Sequence, residues 1–288
     1  MSSSLTRSGL LLLTFFLGLL SAPGAAAPPH RPSSPVVIPL EPYIDQDHYA
    51  FRASIGGQEG LFQFDTGGGL TVLTPQSASA AGCKQWSRLT GFRMRGDRID
   101  VPRCDNVDIV VGSARLLLPT TGVWDLSAVL PAGAPPLGGS VGLDAFSGQA
   151  ITVDLSHRRL VIETPTSLKA RVAHSREIPI HVVREAEGYA LTVMLGVETG
   201  SGRLWFTLDS GNDAGLTIGR HVATLFGLDP QLSAAQPVKL QLAGGVPLKG
   251  EAHSRELILD GNIGSPVMRH WLVTIDLAHQ RLWLAELP

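Results

Sequence analysis

From Val36 onward, short runs of alternating apolar and polar positions are separated by glycine-bearing turns. Phe62 and Phe64 alternate with Gln63, and Leu204, Phe206 and Leu208 alternate with Trp205 and Thr207. This is the period-two pattern of a strand with one buried face. The run from Tyr49 to Phe64 has Gly56-Gly57 at its middle and reads as a hairpin. Both alternating runs end at a sharp turn, Asp65-Thr66-Gly67 or Asp209-Ser210-Gly211, followed by a short strand, Leu70 to Leu73 or Leu216 to Ile218. A short helix is then expected, with Thr74 as N-cap, Pro75 at the first helical position and Gly82 as its stop. Its counterpart runs from about Arg220 to Phe226 and stops at Gly227. A further hairpin is predicted over Leu89 to Val101 around Gly96-Asp97, and another over Val238 to Ala252 around Gly244-Gly245. Helical periods are otherwise weak, so the class is all-β with short helices.

The same order of parts occurs twice. Ile38-Pro39-Leu40 returns as Ile178-Pro179-Ile180, and Tyr49-Ala50 as Tyr189-Ala190, both 140 residues on (178 − 38, 189 − 49). Val153 to Ile162 (VDLSHRRLVI) faces Ile275 to Leu284 (IDLAHQRLWL) at an offset of 122 (275 − 153). Matching apolar-Gly elements, Val141-Gly142 and Ile263-Gly264, precede these closing segments. The chain therefore reads as an ancient tandem duplication, with lobes over residues 36–165 and 176–288. The first half is longer, and its surplus falls largely in Pro119 to Gly139, expected to be a surface insertion rather than a lid.

Composition narrows the function classes. With 23 basic and 25 acidic residues among 288, the net charge of −2 gives no field that recruits nucleic acid or anionic lipid. At the N-terminus Arg7, an apolar run from Leu10 to Leu20 and small residues through Ala27 predict a signal peptide over residues 1–27. A Pro-rich linker over 28–35 follows, and an exported chain, periplasmic or extracellular, results. In that oxidising setting Cys83 and Cys104, the two cysteines, are expected to form a disulfide tying the base of the Leu89 to Val101 hairpin to its lobe. There is no Cys/His metal spacing, and no cofactor or metal is called for.

The two Asp-Thr/Ser-Gly triplets, in matching strand contexts, resemble those of the pepsin and retropepsin families of aspartic peptidases. The resemblance implies a two-lobed, pseudo-twofold fold of related β-barrel lobes in which Asp65 and Asp209 form a catalytic dyad. It assigns Thr66 and Ser210 to hydrogen bonds that reach across to the opposite loop, and Gly67 and Gly211 to the turns themselves. It makes Arg95, Gly96 and Asp97 the flap tip, and it implies binding of an extended peptide or protein substrate. With both loops on one chain, a monomer is expected. Two facing carboxylates share one proton, so one can activate water while the other protonates the scissile carbonyl. Gly68 offers Asp65 no side-chain hydroxyl, which resembles retropepsins and implies a milder pH optimum.

Rival readings also exist. One is a peptide-binding protein of the same fold without catalysis. Gly138-Gly139-Ser140-Val141-Gly142 matches a serine-hydrolase nucleophile elbow, but that elbow needs a buried strand before it and a helix after. Pro131 to Pro136 precede it instead, and Asn262 holds the equivalent place in the second half. Arg88, Arg93, Arg95, Arg98 and Arg103 flank the flap and are expected to be a solvated hairpin edge rather than a selector of acidic peptides. His157 and His279 read as repeat-related structural strand residues.

Overall fold

The computed structural model describes residues 34–287; the predicted signal peptide and most of the Pro-rich linker lie outside them. In the first half, six strands close a barrel in the order Tyr49–Ile55, Gln58–Phe64, Gly139–Val141, Val72–Leu73, Ala114–Val123 and Arg98–Val111. The last of these returns to the first through the pairs Ser54↔Val110 and Ile55↔Ile109. The second half repeats the circuit with Ala190–Thr199, Gly202–Asp209, Gly261–Gly264, Leu216–Gly219, Val246–Arg255 and Gln236–Leu242, closed by Val197↔Leu242. Inward positions of the expected alternation fill each barrel: Phe62, Phe64, Phe206 and Leu208 are fully buried. Phe64 meets Phe146 edge to face, and Phe206 meets Phe226 in the same way. The tight hairpin that starts the first circuit uses Gly56 and Gly57, both at positive φ, as its two-residue loop requires.

A third sheet joins the halves, in the order Val36–Pro39, Arg159–Glu163, Ala150–Asp154, Trp271–Asp276, Arg281–Glu286, Arg176–Ile178. Three strands come from each half, and the central antiparallel pair puts Thr152 opposite Thr274. Those residues are 122 apart, the repeat offset, and their hydroxyls lie 3.0 Å from each other. Each is therefore the other's repeat counterpart, and the pseudo-twofold axis passes between them.

Several elements differ from the sequence reading. The strand after the first Asp turn is only Val72–Leu73, and the second short helix shrinks to a single 3₁₀ turn, Ala223–Phe226. The first flap hairpin is longer than expected: Trp86–Phe92 pairs with the start of Arg98–Val111, which runs on into the barrel wall. Pro119 to Val123 belong to a barrel strand rather than to an insertion. The remainder folds down over the barrel, where Leu126 and Leu137 are buried with Tyr43 and Ala50, and the Tyr43 hydroxyl donates to Pro135 O at 2.7 Å. His157 and His279 occupy the turns after their strands, not the strands, and each places Nδ1 against a neighbouring carboxylate, Asp154 or Asp276. An unexpected helix, Pro165–Val172, links the halves; Thr164 and Ser167 cap it reciprocally and none of its residues is buried.

Candidate active site

Each Asp turn is wide because a third strand lies between its two flanking strands. Gly139–Val141 runs parallel to Gln58–Phe64 and antiparallel to Val72–Leu73, so the chain must cross over its end. Gly261–Gly264 plays the same part for Asp209. The Asp65 N–H donates to Val141 O at 3.1 Å, pinning the first turn to the inserted strand.

The two turns then grip each other. Thr66 Oγ1 donates to Leu208 O at 2.8 Å and accepts from the Ser210 N–H at 2.9 Å. Ser210 Oγ donates to Phe64 O at 3.1 Å and accepts from the Thr66 N–H at 3.0 Å. Both side chains are fully buried, so each of these bonds forms away from competing water. Gly67 and Gly211 permit the approach: a Cβ on Gly67 would lie 2.2 Å from Asp209 Cγ, and one on Gly211 would lie 2.6 Å from Asp65 Cγ. No side chain fits at either position while the carboxyls face each other.

The Asp65 carboxyl accepts the Gly67 N–H at 3.0 Å and the Gly68 N–H at 2.8 Å, both on Oδ1. Burial, followed by the charge and hydrogen bond of Asp209, pushes Asp65 up to about 8 against the pull of those two N–H groups. Asp209 Oδ1 accepts the Gly211 N–H at 2.9 Å, and its Oδ2 accepts Asn262 Nδ2 at 2.6 Å. Behind the first turn, Asp144 accepts both the N–H and the hydroxyl of Thr71, at 2.9 and 2.7 Å. Burial raises Asp144 to about 7, opposed by those bonds.

Above the dyad, the flap turn is closed by the Gly96 N–H to Arg93 O and the Arg93 N–H to Asp97 O. Arg95 and Asp97 point to solvent, and the flap residue that approaches the dyad is Met94, whose Sδ lies 3.9 Å from Asn262 Nδ2. Met94 O accepts the Ile258 N–H at 2.9 Å, so the flap tip is bolted to the opposite half. Arg103, expected at a solvated hairpin edge, is instead buried at the root of the flap, because it lies between the rings of Trp86 and Tyr189, 4.4 and 5.2 Å from their centroids, and donates to Glu187 at 2.8 Å. Next to it, Cys104 is bonded to Cys83, which follows the helix Pro75–Ala80.

Among the described residues, neither Ser140 nor a cluster of metal-type ligands is built as a rival site. Ser140 sits in a short strand after a Pro-rich coil, and no histidine hydrogen-bonds to it among the described residues. Asp45, His48 and Asp213 bring ligand-type atoms within 4.8 Å of one another, but Asp45 already accepts the Asp47 and His48 N–H groups and pairs with the His48 ring, which makes it a local turn. The residues missed by sequence reasoning are Met94, Ile258, Asp144 and Asn262. The one available signal was a polar Asn in a strand whose neighbours are buried and apolar.

No protein-family model matches the chain, and no curated protein matches it. Solved structures do. Basic 7S globulin from soybean aligns at TM-score 0.56 and 10% identity, over 88% of this chain and 95% of its own. Conglutin gamma, a basic 7S globulin from lupine seeds, aligns at 0.58 and 9%, with the same coverages. The fold is the two-lobed pepsin-like one. At such identity the likeness concerns the pepsin-like architecture alone.

Proposed function

We propose that the chain is an aspartic endopeptidase, with Asp65 and Asp209 as its catalytic pair. The observation that carries this reading is the reciprocal Thr66–Ser210 grip, which sets two carboxyls face to face while burial and mutual charge keep a proton on the pair at neutral pH. In the reaction one carboxylate takes a proton from water, whose oxygen bonds to the scissile carbonyl carbon as the other carboxyl protonates the carbonyl oxygen. The resulting gem-diol collapses, breaking the C–N bond as a proton passes to nitrogen. Neither a metal nor a covalent intermediate is part of this scheme. An extended peptide or protein would lie between the dyad and the flap, pairing its backbone with the flap strand once the Met94–Ile258 bond opens. The chain would act as a monomer after export.

A peptide-binding protein of the same fold, without catalysis, is the second reading. Two observations favour it: both solved structures aligned above are described as globulins rather than peptidases, and the flap is bolted across the cleft. Cleavage-site profiling of the purified protein with a peptide library over pH 3 to 7 tests the choice. Cleavage by wild type, lost on dyad substitution, supports the peptidase; no cleavage at any pH by a folded protein that still binds peptides supports the binding protein.

A further inference from the structure

The two carboxyls of the pair are not equivalently held, and the difference lies in two asparagines. Asn212 Oδ1 accepts the Ala214 N–H at 3.0 Å, which fixes its amide orientation because a backbone N–H can only donate. Asn212 Nδ2 then donates to Asn262 Oδ1 at 2.7 Å. Asn262 is thereby oriented as well, with Nδ2 donating to Asp209 Oδ2. A relay of donors starts at the backbone and ends on Asp209, and both asparagine side chains are buried. Each Asp209 oxygen has its own donor, Gly211 N–H or Asn262. Asp65 differs: its two N–H donors share Oδ1, and its Oδ2 accepts from no N–H or hydroxyl among the described residues. Gly68, whose absent Cβ would lie 2.9 Å from that oxygen, supplies no side chain to it.

We propose that Asn262, oriented by Asn212, is a positioning residue that holds Asp209 as the charged member of the pair and leaves the shared proton on Asp65. Donors that satisfy a carboxylate's oxygens stabilise its ionised form, and two adjacent carboxyls cannot both take that form. The ionisable group facing Asp209 is Asp65; from the strand Gly261–Gly264 it meets the neutral Asn262 amide, against which the neutral Met94 thioether lies from the flap. The inference rests on the peptidase reading for its consequence in catalysis: Asp209 takes the proton from water, and Asp65 gives its proton to the carbonyl oxygen. It does not rest on that reading for the placement of the proton.

The test is ¹³C NMR titration of Asp-labelled wild type, Asn262→Leu and Asn212→Ala, beside steady-state kinetics across pH. In wild type the lower macroscopic step of the pair is expected to be carried mainly by Asp209 and the upper by Asp65. Asn262→Leu keeps the side chain's bulk without the donor, and should raise the lower step and the acidic limb of kcat by about one pH unit. Its kcat should fall roughly 10- to 100-fold with little change in KM, the loss expected for a bond to a charged group. Asn212→Ala leaves the Asn262 amide in place but free to turn, and should shift both in the same direction by less; it keeps the test available if Asn262→Leu does not fold. Variant titrations that superimpose on wild type, or an upper step carried by Asp209, overturn the proposal. A wild type that cleaves nothing yet titrates as expected removes the peptidase reading and leaves the asymmetry standing.

Discussion

The two Asp turns share a backbone and differ in almost every side chain that supports them. Both sit over an inserted strand, both carry a hydroxyl that bonds across the axis, and both need glycine where the opposing carboxyl approaches. Behind them the networks diverge. The first turn is braced by Asp144 through Thr71, whereas the second is braced by Ser265, whose N–H donates to Asn212 O at 2.9 Å and whose hydroxyl donates to Asp47 O. The first half also carries the disulfide and a flap that reaches the other half, and the second carries the Asn212–Asn262 relay. Barrel topology constrains where a backbone can go, while each supporting side chain has only to satisfy its own local donors and acceptors. A duplicated fold can therefore keep its geometry and redistribute its electrostatics.

Removing either carboxyl is the strongest way to break the comparison. Asp65→Asn and Asp209→Asn should each lower kcat/KM by roughly 10²- to 10⁴-fold, the range of general acid-base contributions, with circular dichroism unchanged. Substantial activity in either variant would mean that the pair does not act as a unit. Next in size is the disulfide, present in one half only: replacing Cys83 and Cys104 by Ser should cost about 3 kcal/mol in urea unfolding, given the 21-residue separation it closes. An unchanged midpoint would show that the bridge adds nothing to the stability of the flap root.

The cross-axis grip should be symmetric in its cost. Thr66→Val and Ser210→Ala each leave a buried N–H and a buried C=O unpaired, and each should lose about 1 to 3 kcal/mol. Clearly unequal losses would place one turn's anchoring elsewhere. The smallest effect concerns Asp144, whose repeat position is occupied by Pro266. A carboxyl raised to about 7 in the folded state binds its proton more tightly there than in the unfolded chain, so its contribution is present at low pH and is lost as pH rises through about 7. Asp65, raised to about 8, acts in the same sense. Wild-type stability, by denaturant titration, should fall between pH 4 and 8, and Asp144→Asn should flatten the lower part of that decline. No flattening would show that Asp144 is ionised throughout.

Legibility of the fold followed the range of the interactions. The barrel strands were visible because Phe62, Phe64, Phe206 and Leu208 alternate with polar residues, and the helix after the first turn because Thr74 and Pro75 cap it locally. The halves were visible because each closing segment repeats at one offset. The helix Pro165–Val172 left no trace in hydrophobic periodicity, since it buries no residue and depends on its cap and on the Arg171–Glu163 pair. In the sequence Asn262 stands out only as the residue equivalent to Ser140, because its partner Asp209 is 53 residues away and joins it only through a parallel pairing of strands. The Met94–Ile258 bond is longer in range still, and no pattern along one strand encodes it. The flap's full extent is hidden in the sequence because Arg98–Val111 changes role midway, from hairpin arm to barrel wall.

The Thr152–Thr274 contact has a further consequence. A residue that meets its own repeat copy across a twofold marks an isologous surface, one complementary to itself. The central sheet would then be formed equally well by two identical half-length chains, with the connecting segment adding proximity rather than contacts. Joining them would have lifted the requirement that both copies carry the same side chains, so that one half was free to acquire a disulfide and a long flap and the other an amide relay.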